Sequence, residues 1–171
     1  QTNNGGGIYN NYGWLTIGDS VIAGNRALKA GGGIYNSGGE YEDNAQHDGW
    51  LYLVNTSIVG NIVTEENSVG GGLYNESGAV ATLVNVTVAG NTADYSRGGI
   101  QNAGRVNLYN TIVAENEASY GADVYTQSGK TTRAQNSIIG DESRNSNYTA
   151  YKNGTNSTNV GGTSFIGTSR G

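Results

Sequence analysis

Gly31-Gly32-Gly33-Ile34-Tyr35-Asn36 reads GGGIYN, and its recurrence decides the fold. The same six letters stand at 5–10, and GGGLYN stands at 70–75. GGIQN at 98–102 is a close copy, and ADVYT at 122–126 a distant one. A phosphate-binding loop needs one glycine-rich turn, and it must precede a helix N-terminus. Several copies, each leading into a β-like segment, point to repeated architecture instead.

Aligning the copies brings a second phrase into register. It reads DSVIAGN at 19–25, NTSIVGN at 55–61, NVTVAGN at 85–91, NTIVAEN at 110–116 and NSIIGDE at 136–142. Between the two phrases lies an alternating segment: Leu15-Thr16-Ile17, Leu51-Tyr52-Leu53, Ala81-Thr82-Leu83 and Val106-Asn107-Leu108, fading at Thr132-Arg133-Ala134. The apolar position of the first phrase falls at Ile8, Ile34, Leu73, Ile100 and Val124, at intervals of 26, 39, 27 and 24 residues. A period in the twenties, built from short alternating segments, marks a β-solenoid. The long interval contains an insertion at 37–49 and a longer turn at 64–69, both expected as outer loops.

Alternation over three to five residues means strand, and a helical period appears nowhere. The expected fold is all-β: a parallel β-helix over residues 1–140, with about five coils and three short strands per coil. Ile8, Ile34, Leu73, Ile100 and Val124 point inward, as do Ile22, Ile58, Val88, Val113 and Ile139 of the second phrase. Tyr35 and Tyr52 are expected to point out. Coils stack about 4.8 Å apart, so five make a prism roughly 24 Å tall.

Three asparagine columns follow from the same alignment: Asn10, Asn36, Asn75 and Asn102; Asn25, Asn61, Asn91 and Asn116; and Asn55, Asn85, Asn110 and Asn136. Stacked amides can hydrogen-bond along the axis and satisfy buried corner carbonyls. Asparagine and glycine also tolerate the positive φ that sharp corners require.

GGGIYN followed by L-x-I-x-[DN]-[ST]-x-[IV]-x-G-N resembles the right-handed parallel β-helix repeat of bacterial surface proteins, seen in polymorphic outer-membrane-type and pectate-lyase-like solenoids. The resemblance is nearest to choice-of-anchor Q domain proteins, on Asn110-Thr111-Ile112-Val113-Ala114, Asp123-Val124-Tyr125 and Asn136-Ser137-Ile138-Ile139-Gly140. It covers residues 5–140. It implies an extracellular or cell-surface setting. Two departures stand: no amphipathic cap precedes the first coil, and no barrel or sorting signal follows.

Composition narrows the function. A net charge of −5 with scattered Lys and Arg disfavours nucleic acid, which needs a basic stripe. No apolar run is long enough to span a membrane as a helix. The absence of Cys excludes a disulfide framework. The chain begins at Gln1 rather than Met, which reads as a processed form or a fragment.

Most of the 14 acidic residues fall at corners or in loops, so the paired carboxylates of a glycoside hydrolase are not in evidence. Glu40, Glu42, Asp43 and Asp48 form the densest acidic patch. Calcium is the minor alternative there and an exposed loop the main one, because the loop lacks the D-x-D-x-D-G spacing. With His47 as the one histidine, a multi-histidine metal site is excluded. No cofactor is expected.

Tyr9, Tyr35 and Tyr74 form an outward column, interrupted by Gln101 and resumed at Tyr125. Trp14 and Trp50 occupy equivalent places. These aromatics serve either as a sugar or partner surface or as strand-stabilising stacks. Sequons at Asn55, Asn75 and Asn85 fall in the ladder columns, with no room for a glycan if the amide faces inward. Those at Asn147, Asn153 and Asn156 lie in the polar tail, 141–171, and could carry one. The tail is expected to dock on its own helix or on a neighbouring subunit, with Val160 to Ile166 as an extra strand.

The sequence therefore points to a non-enzymatic structural or adhesive solenoid. It associates with itself head to tail, or forms part of a longer surface protein. Polysaccharide lyase or hydrolase activity and carbohydrate-binding adhesion are the alternatives.

Overall fold

The structure, a computed structural model, describes residues 2–40, 46–119, 121–140, 158–161 and 165–166. Four parallel sheets run along one axis. Sheet I holds β1 (Thr2–Asn4), β5 (Arg26–Ala30), β11 (Ile62–Val63) and β15 (Thr92–Ala93). Sheet II holds β2 (Ile8–Asn11), β6 (Ile34–Ser37), β12 (Leu73–Asn75), β16 (Ile100–Asn102) and β19 (Val124–Thr126). Sheet III holds β3 (Trp14–Gly18), β9 (Trp50–Val54), β13 (Val80–Val84), β17 (Arg105–Tyr109), β20 (Thr131–Gln135) and β22 (Thr158–Gly161). Sheet IV holds β4 (Val21–Ala23), β10 (Ser57–Val59), β14 (Thr87–Ala89), β18 (Ile112–Ala114), β21 (Ile138–Ile139) and β23 (Phe165–Ile166).

The chain visits the sheets in turn and starts again, so it winds as a β-solenoid of about five turns. Each strand pairs with its equivalent one coil on. Ile8, Ile34, Leu73, Ile100 and Val124 lie in one register row. Ile22, Ile58, Val88, Val113 and Ile139 form a second. Ile17, Leu53, Leu83, Leu108 and Ala134 form a third. Together with Leu51, Ala81 and Val106 they make one continuous core. Burying each Leu or Ile contributes about 1.5–3 kcal/mol, and these rows hold the coils together.

Four of the five coils add a fourth strand, in sheet I, to the three expected; the fifth shows three among the described residues. Sheet I lies between sheets IV and II along the chain, and most of its inward residues are alanine. Ala27, Val63, Ala93 and Ala118 form a separate apolar cluster there. β11 and β15 have two residues each, too few to show alternation.

The insertion is an outer hairpin. β7 (Gly39–Glu40) pairs antiparallel with β8 (Gln46–His47), and residues 41–45 lie outside the described ones. Past residue 140, β22 pairs with β20 and β23 with β21, so these tail strands add to sheets III and IV of their own chain.

The glycines of GGGIYN divide the work of one corner. Gly31 adopts φ +63°, which an L side chain resists. A Cβ on Gly32 would stand 2.5 Å from the Gly71 carbonyl oxygen of the next coil. The first glycine makes the turn; the second lets neighbouring coils approach.

Two asparagine columns are buried amide ladders. Nδ2 of Asn10 donates to Oδ1 of Asn36 at 2.8 Å, Asn36 to Asn75 at 2.9 Å, and Asn75 to Asn102 at 3.1 Å. Asn25 donates to Asn61 at 2.9 Å, Asn61 to Asn91 at 2.9 Å, and Asn91 to Asn116 at 2.8 Å. The third column differs from expectation. Asn55, Asn85, Asn110 and Asn136 take φ of +50 to +54° at exposed corners. Nδ2 of Asn85 donates to Asn55 and that of Asn55 to Asp19, outside the core. This column serves backbone geometry rather than buried carbonyls.

The contrast is measurable by chemical denaturation. Asn91→Ala strands the carbonyl of Ile58 and the donors of Asn61, and is expected to cost about 3 kcal/mol. Asn110→Gly keeps the positive φ and is expected to fall within about 0.5 kcal/mol of the native chain. In the core, Leu53→Ala is expected to lose about 2–5 kcal/mol, while its exposed neighbour Tyr52→Ala loses far less. Equal losses at Leu53 and Tyr52 would contradict the inward and outward assignment.

Candidate functional site

The outward face of sheet II carries the tyrosine column. Tyr9 and Tyr35 stack with ring centroids 5.0 Å apart, and Tyr35 and Tyr74 at 4.9 Å. Coil stacking delivers this spacing directly, because the three residues are register partners. Tyr35 points out of the coil but is covered, at 6% exposure. The hydroxyl of Tyr35 donates to Glu76 Oε1 at 2.8 Å, and Ser37 Oγ donates to Glu76 Oε2 at 2.8 Å. Glu76, in the turn after β12, thus draws the column and the start of the insertion together.

Gln101 breaks the column, and Arg97 answers the break. Its guanidinium lies 3.9 Å over the Tyr125 ring and also acts electrostatically on Tyr74. The column is therefore a structural stack along most of its length, with Tyr9 open at one end. Burial, the hydrogen bond to Glu76 and the charge of Glu76 all push the Tyr35 phenol well above its ordinary range. Burial and Glu76 raise Tyr74 as well, against the opposing charge of Arg97.

The aromatic surface that remains accessible is on sheet III. Trp14 is 85% exposed and Trp50 40%, and their ring centroids lie 5.6 Å apart. Tyr52 lies on the same face, beside Trp50 in sequence order, and is exposed. Trp50 also lines a groove of about 240 Å³ with Asp48, Arg105, Lys130 and the glycines Gly78, Gly104 and Gly129. Alternation in β3 and β9 turns both indoles outward, and pairing of β3 with β9 sets them side by side. An indole pair next to polar and charged groups can hold a flat, hydroxylated ligand.

The acids do not converge. Among the described residues no strand of sheets II, III or IV contains Asp or Glu. No group of three or more His, Asp or Glu that could hold a metal occurs among the described residues. Within the acidic insertion, residues 41–45 are outside the described ones. No helix is long and apolar enough to cross a membrane.

The sequons separate by burial. Asn75 is fully buried in a ladder, as expected. Asn55 and Asn85 are exposed, so the inward-facing condition that would leave a glycan no room does not hold for them. Asn147, Asn153 and Asn156 lie outside the described residues.

The last candidate is an edge, which sequence reasoning located only as an uncapped end. Each of the four sheets terminates on a first-coil strand: β1, β2, β3 or β4. The inward residues there, Ile8, Leu15 and Ile17, are only partly buried. Their equivalents Ile34, Leu51 and Leu53 are 0–2% exposed. Among the described residues no further strand pairs with these edges, which surround an apolar patch.

No family model, no curated protein and no solved structure matches this chain.

The tyrosine arrangement predicts a pH response. A phenol whose pKa is raised on folding contributes its full stability below the unfolded value, near 10, and loses it as pH rises past that value. Ultraviolet titration is expected to show the Tyr35 phenol still protonated when exposed tyrosines have ionised. Chemical denaturation is expected to show stability falling above about pH 10. Tyr35→Phe is expected to flatten that fall.

Proposed function

We propose that this chain is a non-enzymatic structural and adhesive β-solenoid of an extracellular or cell-surface setting. It extends by accepting further strands on its first-coil edge, either head to tail between copies or within a longer surface protein. The observation that carries the reading is the four-sheet open edge over half-buried Ile8, Leu15 and Ile17. A solenoid end of this kind is a template for pairing unless something covers it. A head-to-tail contact between copies does not close on itself and so propagates. The resemblance of the repeat to choice-of-anchor Q and other β-helix surface proteins supports the setting. The strands of sheets II to IV, free of carboxylates among the described residues, favour a scaffold over a polysaccharide-cleaving groove.

Light scattering over a concentration series, with electron microscopy, tests the association. The 171-residue chain is expected to form multiples of its 17.8 kDa mass, lengthening with concentration. Leu15→Lys places a charge at the edge and is expected to reduce assembly without lowering the thermal midpoint by more than about 4 °C. A monomer at every concentration would remove the self-association branch of the proposal.

The paired indoles favour a second reading, carbohydrate binding on sheet III. Glycan-array binding that disappears in Trp50→Ala, while Tyr109→Ala on the same sheet retains it, is the expected signature. Binding unchanged in Trp50→Ala would remove this face from consideration.

A further inference from the structure

The two buried amide columns have a direction. At every described step, Nδ2 of one coil donates to Oδ1 of the next. Backbone carbonyls fix that direction. Nδ2 of Asn10 also donates to the Gly13 carbonyl, that of Asn36 to Gly49, and that of Asn61 to Ile22. Flipping any of these amides would set oxygen against oxygen.

Toward later coils both columns close. Nδ2 of Asn102 donates to the Thr131 carbonyl and to Thr132 Oγ1. Both N and Nδ2 of Asn116 donate to Oδ1 of Asp123, a buried carboxylate that, ionised, only accepts.

Toward the first coil both columns stay open. Oδ1 of Asn61, Asn91 and Asn116 each accepts two hydrogen bonds, from N and Nδ2 of the preceding corner asparagine. No donor among the described residues reaches Oδ1 of Asn25 or Oδ1 of Asn10. Asn25 has a second opening. Asn61, Asn91 and Asn116 each give an N–H to a carbonyl three residues before the preceding corner asparagine: Ile22, Ile58 and Val88. Asn25 has no such acceptor among the described residues.

We infer that the first-coil face recognises a further coil of this same repeat with asparagine at both corners. The inference rests on the proposed edge extension and narrows its partner to a coil unlike this chain's own fifth, whose columns end on Thr132 and Asp123 rather than asparagine. The first corner of the incoming coil supplies Nδ2 to Oδ1 of Asn10. Its second corner supplies N and Nδ2 to Oδ1 of Asn25, and its last strand supplies a carbonyl to Nδ2 of Asn25. Meanwhile its inward residues cover Ile8, Leu15 and Ile17. A second copy docked first coil to first coil would bring Oδ1 against Oδ1 in both columns, so the face discriminates by polarity as well as by shape.

The test adds such a coil. Thr2 pairs with Ala27, so the residue placed before Gln1 takes the register position of Asn25. Residues 70–91, GGGLYNESGAVATLVNVTVAGN, joined directly before Gln1, supply one coil ending on its corner asparagine. A second extended chain carries Asn75→Ala and Asn91→Ala in the added copy only. Both are compared with the unextended chain by thermal unfolding and by hydrogen exchange of side-chain amides. The asparagine-cornered coil is expected to raise the midpoint. The alanine-cornered coil is expected to fall short of it by about 4 °C or more, the scale on which a few lost hydrogen bonds act in a chain of this size. Exchange at the added Asn91 amide is expected to slow at least about tenfold relative to an exposed asparagine. Equal midpoints for the two extended chains would overturn recognition through the amides and leave edge extension standing. No rise in either would overturn edge extension itself.

Discussion

Everything in this molecule depends on coils lying one strand spacing apart with equivalent residues in register. At that separation each side chain meets its own counterpart above and below, so a single choice is repeated as a column. Aliphatic choices become core rows, as with Ile34, Leu73 and Ile100. Polar choices become ladders, but only for side chains that donate at one end and accept at the other. Asparagine does both, which is why Asn36, Asn61, Asn75 and Asn91 are fully buried. Glycine is demanded where coils meet backbone to backbone, as at Gly32 and Gly71.

The same constraint shows how the repeat tolerates decay. Where the fifth coil no longer offers a corner asparagine, Asp123 and Thr132 receive the ladder bonds instead. Asp123 stands in the glycine position of the first phrase and reaches sideways into the adjacent column, so a substitution at one site compensates for the loss of another. Gln101 interrupts the tyrosines, and Arg97 fills the place from the preceding turn. Stacked repeats relay a defect to the nearest neighbour, which limits its reach.

Function follows from how the outside differs from the inside. The core columns are continuous and the outer faces are not: the sheet III column of Trp14 and Trp50 continues as Val80, Arg105 and Thr131. A surface that varies over an invariant interior accords with the scaffold or adhesive role proposed above. The first-coil edge, on which no described strand pairs, adds direction, because a parallel solenoid with polar amide columns has two unlike ends.

The sequence by itself determined the winding, the inward rows and the columns in which asparagine, tyrosine and tryptophan stack. A repeat of short alternating segments admits little else, and the alignment alone placed Ile8 with Ile34 and Trp14 with Trp50. Only the tertiary structure decided the fourth strand, because Ala27, Val63 and Ala93 carry no alternation to read. It also separated the buried amide ladders from the exposed Asn55 and Asn85 corners, since identical residue types serve packing in one and positive φ in the other. It closed Tyr35 beneath its neighbours and Glu76, a contact between residues 41 apart in the chain. Periodicity specifies which residues share a column; which columns water reaches depends on how the corners bend and what the loops cover.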